Sequence, residues 1–90
     1  IDCSHANSQK DYKKQADVAS DIAAQLAAGE RRITGVMIES HLKSGRQDQK
    51  PGVELQYGQS ITDACLGWEE SVPVLEQLAE AVRARRKHRR

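Results

Sequence analysis

The sequence predicts an α/β fold in which parallel strands alternate with helices, and three observations lead there. Ile33-Thr34-Gly35-Val36-Met37-Ile38 is apolar on both alternating faces. A strand with one wet face would place polar residues at every second position, so this run suits a parallel strand covered on both sides. A helical pattern from about Asp11 to Ala28 precedes it, and a short strand candidate, Ile1–Ser4, precedes that helix. Strand, helix, strand in this order is a βαβ unit, whose crossover is right-handed.

Each element has its own local reason. Ile1-Asp2-Cys3-Ser4 reads as a strand whose upstream residues are missing, so the chain is expected to be part of a longer protein. The turn-rich His5-Ala6-Asn7-Ser8 follows. In the helix, Val18, Ile22 and Leu26 fall at i, i+4 and i+8, with Ala19, Ala23 and Ala27 beside them, which makes one closely packable stripe. Gly29 stands where a helix takes its left-handed terminator. Gly35, lacking a side chain inside a strand, predicts a close approach of neighbouring backbone. Lys43–Ser60 is a long polar connection punctuated by Ser44-Gly45, Pro51-Gly52 and Gly58, and loops of that length are usually functional or mobile. Within it Val53–Tyr57 alternates as a small strand would, and Ile61–Cys65 reads as an extended piece or a turn. A last helix is predicted from Ser71 or Val72 to Arg85, with Ser71 as cap, Pro73 in the first turn, and Leu75, Leu78 and Val82 as the apolar stripe.

Composition narrows the function classes. Ninety residues with 38 % hydrophobic content and no Phe leave a core built from aliphatics and Ala. A lone chain of this size buries only roughly 60–65 % of its unfolded surface. No apolar run approaches the roughly 20 residues of a membrane helix, and no leader pattern opens the chain, so neither a membrane span nor a targeted precursor is predicted. Two cysteines are too few for a disulfide scaffold, which predicts a reducing, cytoplasmic setting. The net charge of +1 conceals a basic segment over residues 83–90 that holds six of the 14 Lys and Arg and none of the 13 acids. The rest of the chain is acidic. That tail lacks interleaved aromatics, so a solvated end is the plainer reading, with an oligomerising or nucleic-acid-binding module as the alternative.

In parallel α/β architectures functional side chains gather at the carboxyl ends of strands. His5 follows the first strand candidate, Glu39 follows the second, and Asp63 lies in the turn leading to the last helix. One imidazole and two carboxylates from separate loops are a donor set for a divalent metal of intermediate softness. The plainer reading of the same residues is caps and solvated loop positions, since no short motif links them. Among the others, Cys3 and Met37 read as core, Cys65 as a small buried side chain or a neighbour of the site, His41 as a neighbour of the site or an ordinary loop histidine, Trp68 as an anchor for the last helix, and Lys13 and Lys14 as exposed helix lysines, with attraction of phosphate as the alternative.

Three ordered motifs carry a resemblance: Ile1-Asp2-Cys3-Ser4-His5-Ala6-Asn7-Ser8, Gly35-Val36-Met37-Ile38-Glu39-Ser40-His41-Leu42, and Tyr57-Gly58-Gln59-Ser60-Ile61-Thr62-Asp63-Ala64-Cys65-Leu66-Gly67-Trp68. Together they resemble the carboxyl-terminal part of a class I 3-deoxy-D-arabino-heptulosonate 7-phosphate (DAHP) synthase, over residues 1 to about 86. The resemblance is to the subgroup of phenylalanine-, tyrosine- or tryptophan-regulated bacterial enzymes and their fungal relatives.

That resemblance implies a (β/α)8 TIM barrel, of which this chain is a fragment holding the last two βα units: Ile1–Ser4 and Ile33–Ile38 as the seventh and eighth strands, Asp11–Ala28 and Ser71–Arg85 as their helices. Residues 1–86 would be the carboxyl-terminal quarter and residues 87–90 a disordered basic tail. His5, Glu39 and Asp63 match three of the family's four metal ligands, with His5 and Asp63 also facing the aldose. The fourth ligand, a cysteine, and the lysines and arginines that clamp phosphoenolpyruvate lie outside this chain. Cys65 matches a cysteine that neighbours the ligand cysteine. The implied reaction condenses phosphoenolpyruvate with erythrose 4-phosphate, with Mn, Fe, Co or Zn as Lewis acid, at the first step of the shikimate pathway. The implied parent is a homo-oligomer with no membrane or nucleic-acid partner, and the isolated chain is expected to be inactive.

Overall fold

A computed structural model describes residues 1–9 and 11–88; Lys10, Arg89 and Arg90 lie outside it. The expected tail over 87–90 is therefore only partly within the described residues. The chain opens into a 3₁₀ turn over His5–Ser8, then forms helix α1 over Lys14–Ala27 and helix α2 over Trp68–Arg86.

Helix α1 begins three residues later than the pattern predicts. The Asp11 and Tyr12 carbonyls first accept the Lys14 and Gln15 N–H groups in tight turns (2.9 and 3.1 Å), while the Asp11 carboxylate accepts the Lys13 N–H at 3.1 Å. Its end follows expectation. Gly29 takes φ +104°, so the Gly29 N–H donates to Leu26 and the Glu30 N–H to Gln25, which satisfies carbonyls the helix leaves open.

The core lies between the two helices. Ala19, Ile22, Ala23 and Leu26 of α1 pack with Val74 and Ala81 of α2, and Cys3 and Leu66, from the bridged segments, close it. Alanines at 19, 23 and 81 let the helix axes approach, and each buried large aliphatic contributes about 1.5–3 kcal/mol. Helix α2 differs from its expected form at both its start and its face. It starts at Trp68 because the Glu70 carboxylate accepts the Gly67 N–H at 2.8 Å, acting as a cap ahead of Ser71. Ser71 instead turns its hydroxyl back to the Gly67 carbonyl at 2.8 Å, and Pro73 falls in the second turn. The buried stripe is Ser71, Val74 and Ala81, with Leu78 and Val82 partly covered. Leu75 is 57 % exposed and Trp68 61 % exposed, so neither anchors the helix as expected.

No strand extends among the described residues, which corrects the expected strands at Ile1–Ser4, Ile33–Ile38 and Val53–Tyr57. What remains of the βαβ unit is its register. Asp2 pairs with Met37 in a parallel bridge, in which the Cys3 N–H donates to Met37 (2.8 Å) and the Met37 N–H to Ile1 (2.9 Å). A ladder grows from neighbours on both sides, and two strands alone are marginal. Met37, expected in the core, is 43 % exposed for the same reason: no described element covers its face of the run. Gly35 has no described atom near where a Cβ would stand; the close approach of backbone occurs at Gly67, where a Cβ would lie 2.9 Å from the Ser44 nitrogen, and a side chain comes equally close at Gly58. There φ is +83° and a Cβ would lie 2.9 Å from Leu42 Cβ.

Three further bridges stitch the long loop to this frame: Ser40 with Leu66, Gly45 with Cys65, and Arg46 with Ser60. Part of the basic segment also belongs to the fold. The Arg85 guanidinium donates to the carbonyls of Glu30 (3.2 Å) and Ile33 (2.8 Å), and Arg83 pairs with Glu80.

Candidate metal centre

Two of the three parallel bridges set the site. Pairing Asp2 with Met37 puts His5, three residues on, beside Glu39, two residues on. Pairing Ser40 with Leu66 then brings the Asp63 turn to the same end. One ligand atom from each of His5, Glu39 and Asp63 lies within 4.8 Å of the others, although the residues are 34 and 24 positions apart. The structure thus brings all three sequence-predicted residues together. The cavity they line holds about 150 Å³ and is shared with Ser4, Gln15 and Arg46.

His5 is the hub. Its backbone takes φ +53°, a left-handed conformation that costs a non-glycine residue about 1–3 kcal/mol, although histidine tolerates it better than most. Side-chain bonds hold it there. Nδ1 lies 3.0 Å from Asp2 Oδ2 and 2.9 Å from Ser4 Oγ, while Nε2 lies 3.1 Å from Asp63 Oδ2 and 3.6 Å from Glu39 Oε1. The bond to Asp2, then that to Asp63, and the nearby Glu39 charge raise the His5 pKa above its ordinary 6.5. The Ser4 hydroxyl, and after it His5, holds the Asp2 carboxyl down at about 2. Asp2 therefore stays anionic and keeps a proton on Nδ1, which leaves Nε2 facing the two acids.

This arrangement fits a first-row divalent cation. The donor set is one imidazole nitrogen and two carboxylates on one side of a small cavity, and the imidazole's second nitrogen is held by a carboxylate, as metal-bound histidines usually require. A cation held here would compete with a proton for the same Nε2.

The remaining expectations divide. Cys3 and Cys65 are buried free thiols, and burial pushes both pKa values up, so neither is a ready thiolate. Cys65 Sγ donates to the Asp63 carbonyl at 3.4 Å, which makes it a neighbour of the cluster. His41 is turned away, with Nδ1 accepting the Leu42 N–H at 2.8 Å. Three residues of the site went unread in the sequence. Asp2 was assigned only to a strand. Arg46, in the loop, sends Nε to the Thr62 carbonyl at 2.7 Å. Gln15 extends the α1 stripe one turn back from Ala19 and is 1 % exposed, so a polar residue at a core register was the available signal.

Comparison with known proteins identifies the relatives of this chain. A profile described as the DAHP synthetase I family matches residues 1–76. The chain is 60 % identical over 87 residues to a phospho-2-dehydro-3-deoxyheptonate aldolase of Haemophilus influenzae, covering 97 % of this chain and 24 % of that protein. It is 58 % identical over 86 residues to the Phe-sensitive aldolase of Escherichia coli K12, covering 96 % of this chain and 25 % of that one. A solved structure of the aldolase from Francisella tularensis SCHU S4 superposes with a TM-score of 0.86 at 55 % identity, over 94 % of this chain and 24 % of that one. The chain spans about a quarter of the length of the relatives it matches.

Proposed function

This chain belongs to the DAHP synthetase I family, and on that premise we propose that it supplies the metal-holding rim of a DAHP synthase. The proposed place is the end of a TIM barrel, with the Asp2 and Met37 segments as the last two parallel strands and α1 and α2 as their helices. The reaction joins carbon 3 of phosphoenolpyruvate to the aldehyde carbon of erythrose 4-phosphate, adds water at carbon 2 and releases phosphate. One observation carries this reading: His5, Glu39 and Asp63, from three separate segments, converge on one point.

The chain's residues divide the work. His5 offers Nε2 because Asp2 and Ser4 keep Nδ1 occupied. Glu39, the less exposed of the two acids, supplies a carboxylate fixed from the strand end, and the more exposed Asp63 supplies one at the solvent side, where the aldose would arrive. These three groups would hold a divalent cation, Mn, Fe, Co or Zn, which would supply Lewis acidity to the aldehyde oxygen when bound. The phosphate-binding lysines and arginines implied by the resemblance lie outside this chain, so by itself it is expected to make no product.

The test is made in the full-length protein. Replacing His5, Glu39 or Asp63 by Ala lowers bound metal and turnover together. Turnover that falls while metal stays stoichiometric removes that residue from the ligand set.

A further inference from the structure

Position 15 of α1 points into the core, in register with Ala19, Ile22 and Leu26, and is filled by an amide. A glutamine 1 % exposed must pair both ends of that amide or lose the hydrogen bonds water gave it. It pairs both with a single residue. Gln15 Nε2 donates to the Glu39 carbonyl at 3.0 Å, and Gln15 Oε1 accepts the Glu39 N–H at 2.8 Å. The Glu39 carbonyl takes a second donor, the Leu66 N–H, at 3.0 Å. Glu39 is therefore held from three directions: by its own chain, by α1 and by the loop that carries Asp63.

We infer that Gln15 is a positioning residue for the metal centre, a clamp on the backbone of Glu39 that fixes where its carboxylate stands. This rests on the reading of Glu39 as a metal ligand. The core register of position 15 would accept a leucine or methionine without changing the helix. A buried amide aimed at the one residue of that segment whose side chain enters the cluster ties ligand geometry to the helix core. Groups that orient metal ligands typically change affinity about 10–100-fold when removed.

The experiment measures Mn²⁺ affinity of the full-length protein by counting free Mn²⁺ with electron paramagnetic resonance, alongside denaturant unfolding. Gln15→Met keeps the volume and removes both bonds, and it is expected to weaken Mn²⁺ binding about tenfold or more. Should that variant not fold, Gln15→Asn keeps the amide but falls one methylene short, and the same shift is expected. Leu26→Ala, in the same core, is expected to lose stability yet bind Mn²⁺ within twofold of the parent. An equal loss in Leu26→Ala would overturn the clamp, because general loosening would then explain the effect. Gln15→Met binding like the parent, while Glu39→Gln loses Mn²⁺, overturns the clamp and leaves the ligand in place. Glu39→Gln binding like the parent overturns the reading beneath both.

Discussion

Arg46 Nε donates to the Thr62 carbonyl oxygen at 2.7 Å, and that carbonyl shares its peptide group with the Asp63 nitrogen. The same guanidinium reaches Asp48 Oδ1 at 2.7 Å. A single loop cation thus steadies the turn that carries the most exposed member of the cluster. Arg46→Met is expected to weaken Mn²⁺ binding about two- to tenfold, the range of one net hydrogen bond of about 0.5–1.5 kcal/mol. Equilibrium dialysis checks it, and an unchanged affinity removes Arg46 from the support of Asp63.

Asp2 is expected to matter more, because it touches His5, the proposed ligand, directly. Asp2→Asn keeps the shape and discards the charge 3.0 Å from Nδ1. In the metal-free protein the His5 pKa then moves down toward 6.5, since the bond to Asp2 is the largest cause of its rise. Metal affinity falls about tenfold or more. A proton-detected titration of the His5 ring reads the first effect and Mn²⁺ binding the second.

Stability and metal binding should respond to pH in opposite directions. The folded pKa of His5 is raised, so its charged form contributes stability that is fully present below 6.5 and lost as pH rises through the folded value. Cation binding needs Nε2 without its proton, so Mn²⁺ affinity rises about tenfold per pH unit until that same value is passed. Asp2 does not interfere: its depressed pKa confines its loss to the interval from 3.8 down to about 2. Thermal unfolding between pH 5 and pH 9, with and without Mn²⁺, is expected to show the stabilisation by metal widening as pH rises. A metal-induced shift that is constant across this range contradicts the competition at Nε2.

Gly58→Ala is expected to cost about 1–3 kcal/mol. The new Cβ would meet Leu42 Cβ at 2.9 Å on a backbone at φ +83°. Urea unfolding measures the loss, and Leu42→Ala in the same background, which removes Cγ and Cδ1 but keeps the Cβ at 2.9 Å, is expected to recover only a minor part of it. Full recovery would mean that neither the Cβ contact nor the left-handed backbone costs anything here.

The parts of this molecule that were legible in the sequence are those with local causes. Gly29 announced the end of α1 because a left-handed residue is a local need, and His5, Glu39 and Asp63 could be grouped because strand ends meet at one rim. The unread parts depend on partners. Ile33–Ile38 has the composition of a strand, but its ladder forms only where neighbours supply donors and acceptors, and here Met37 alone is paired. Leu75 is placed by helical spacing, which gives the angle between side chains and not which side meets the core, and Trp68 is placed as an anchor by its size alone, ahead of a helix that in fact begins with it. Gln15 was passed over because a period counts apolar residues, whereas its role follows from an amide matching one particular peptide across 24 positions.

Arg85 alters how the molecule presents charge to its surroundings. Its guanidinium serves the Glu30 and Ile33 carbonyls, and Arg83 serves Glu80, so two of the six cations in that stretch already have acceptors within the fold. A polyanion approaching this end would have to compete with those internal bonds for both. Its salt sensitivity would be shallower than six phosphate contacts would produce. Shortening the protein ahead of Arg85 would uncover carbonyl oxygens beside the α1 terminator, a structural injury that would be mistaken for the loss of an anion-binding tail.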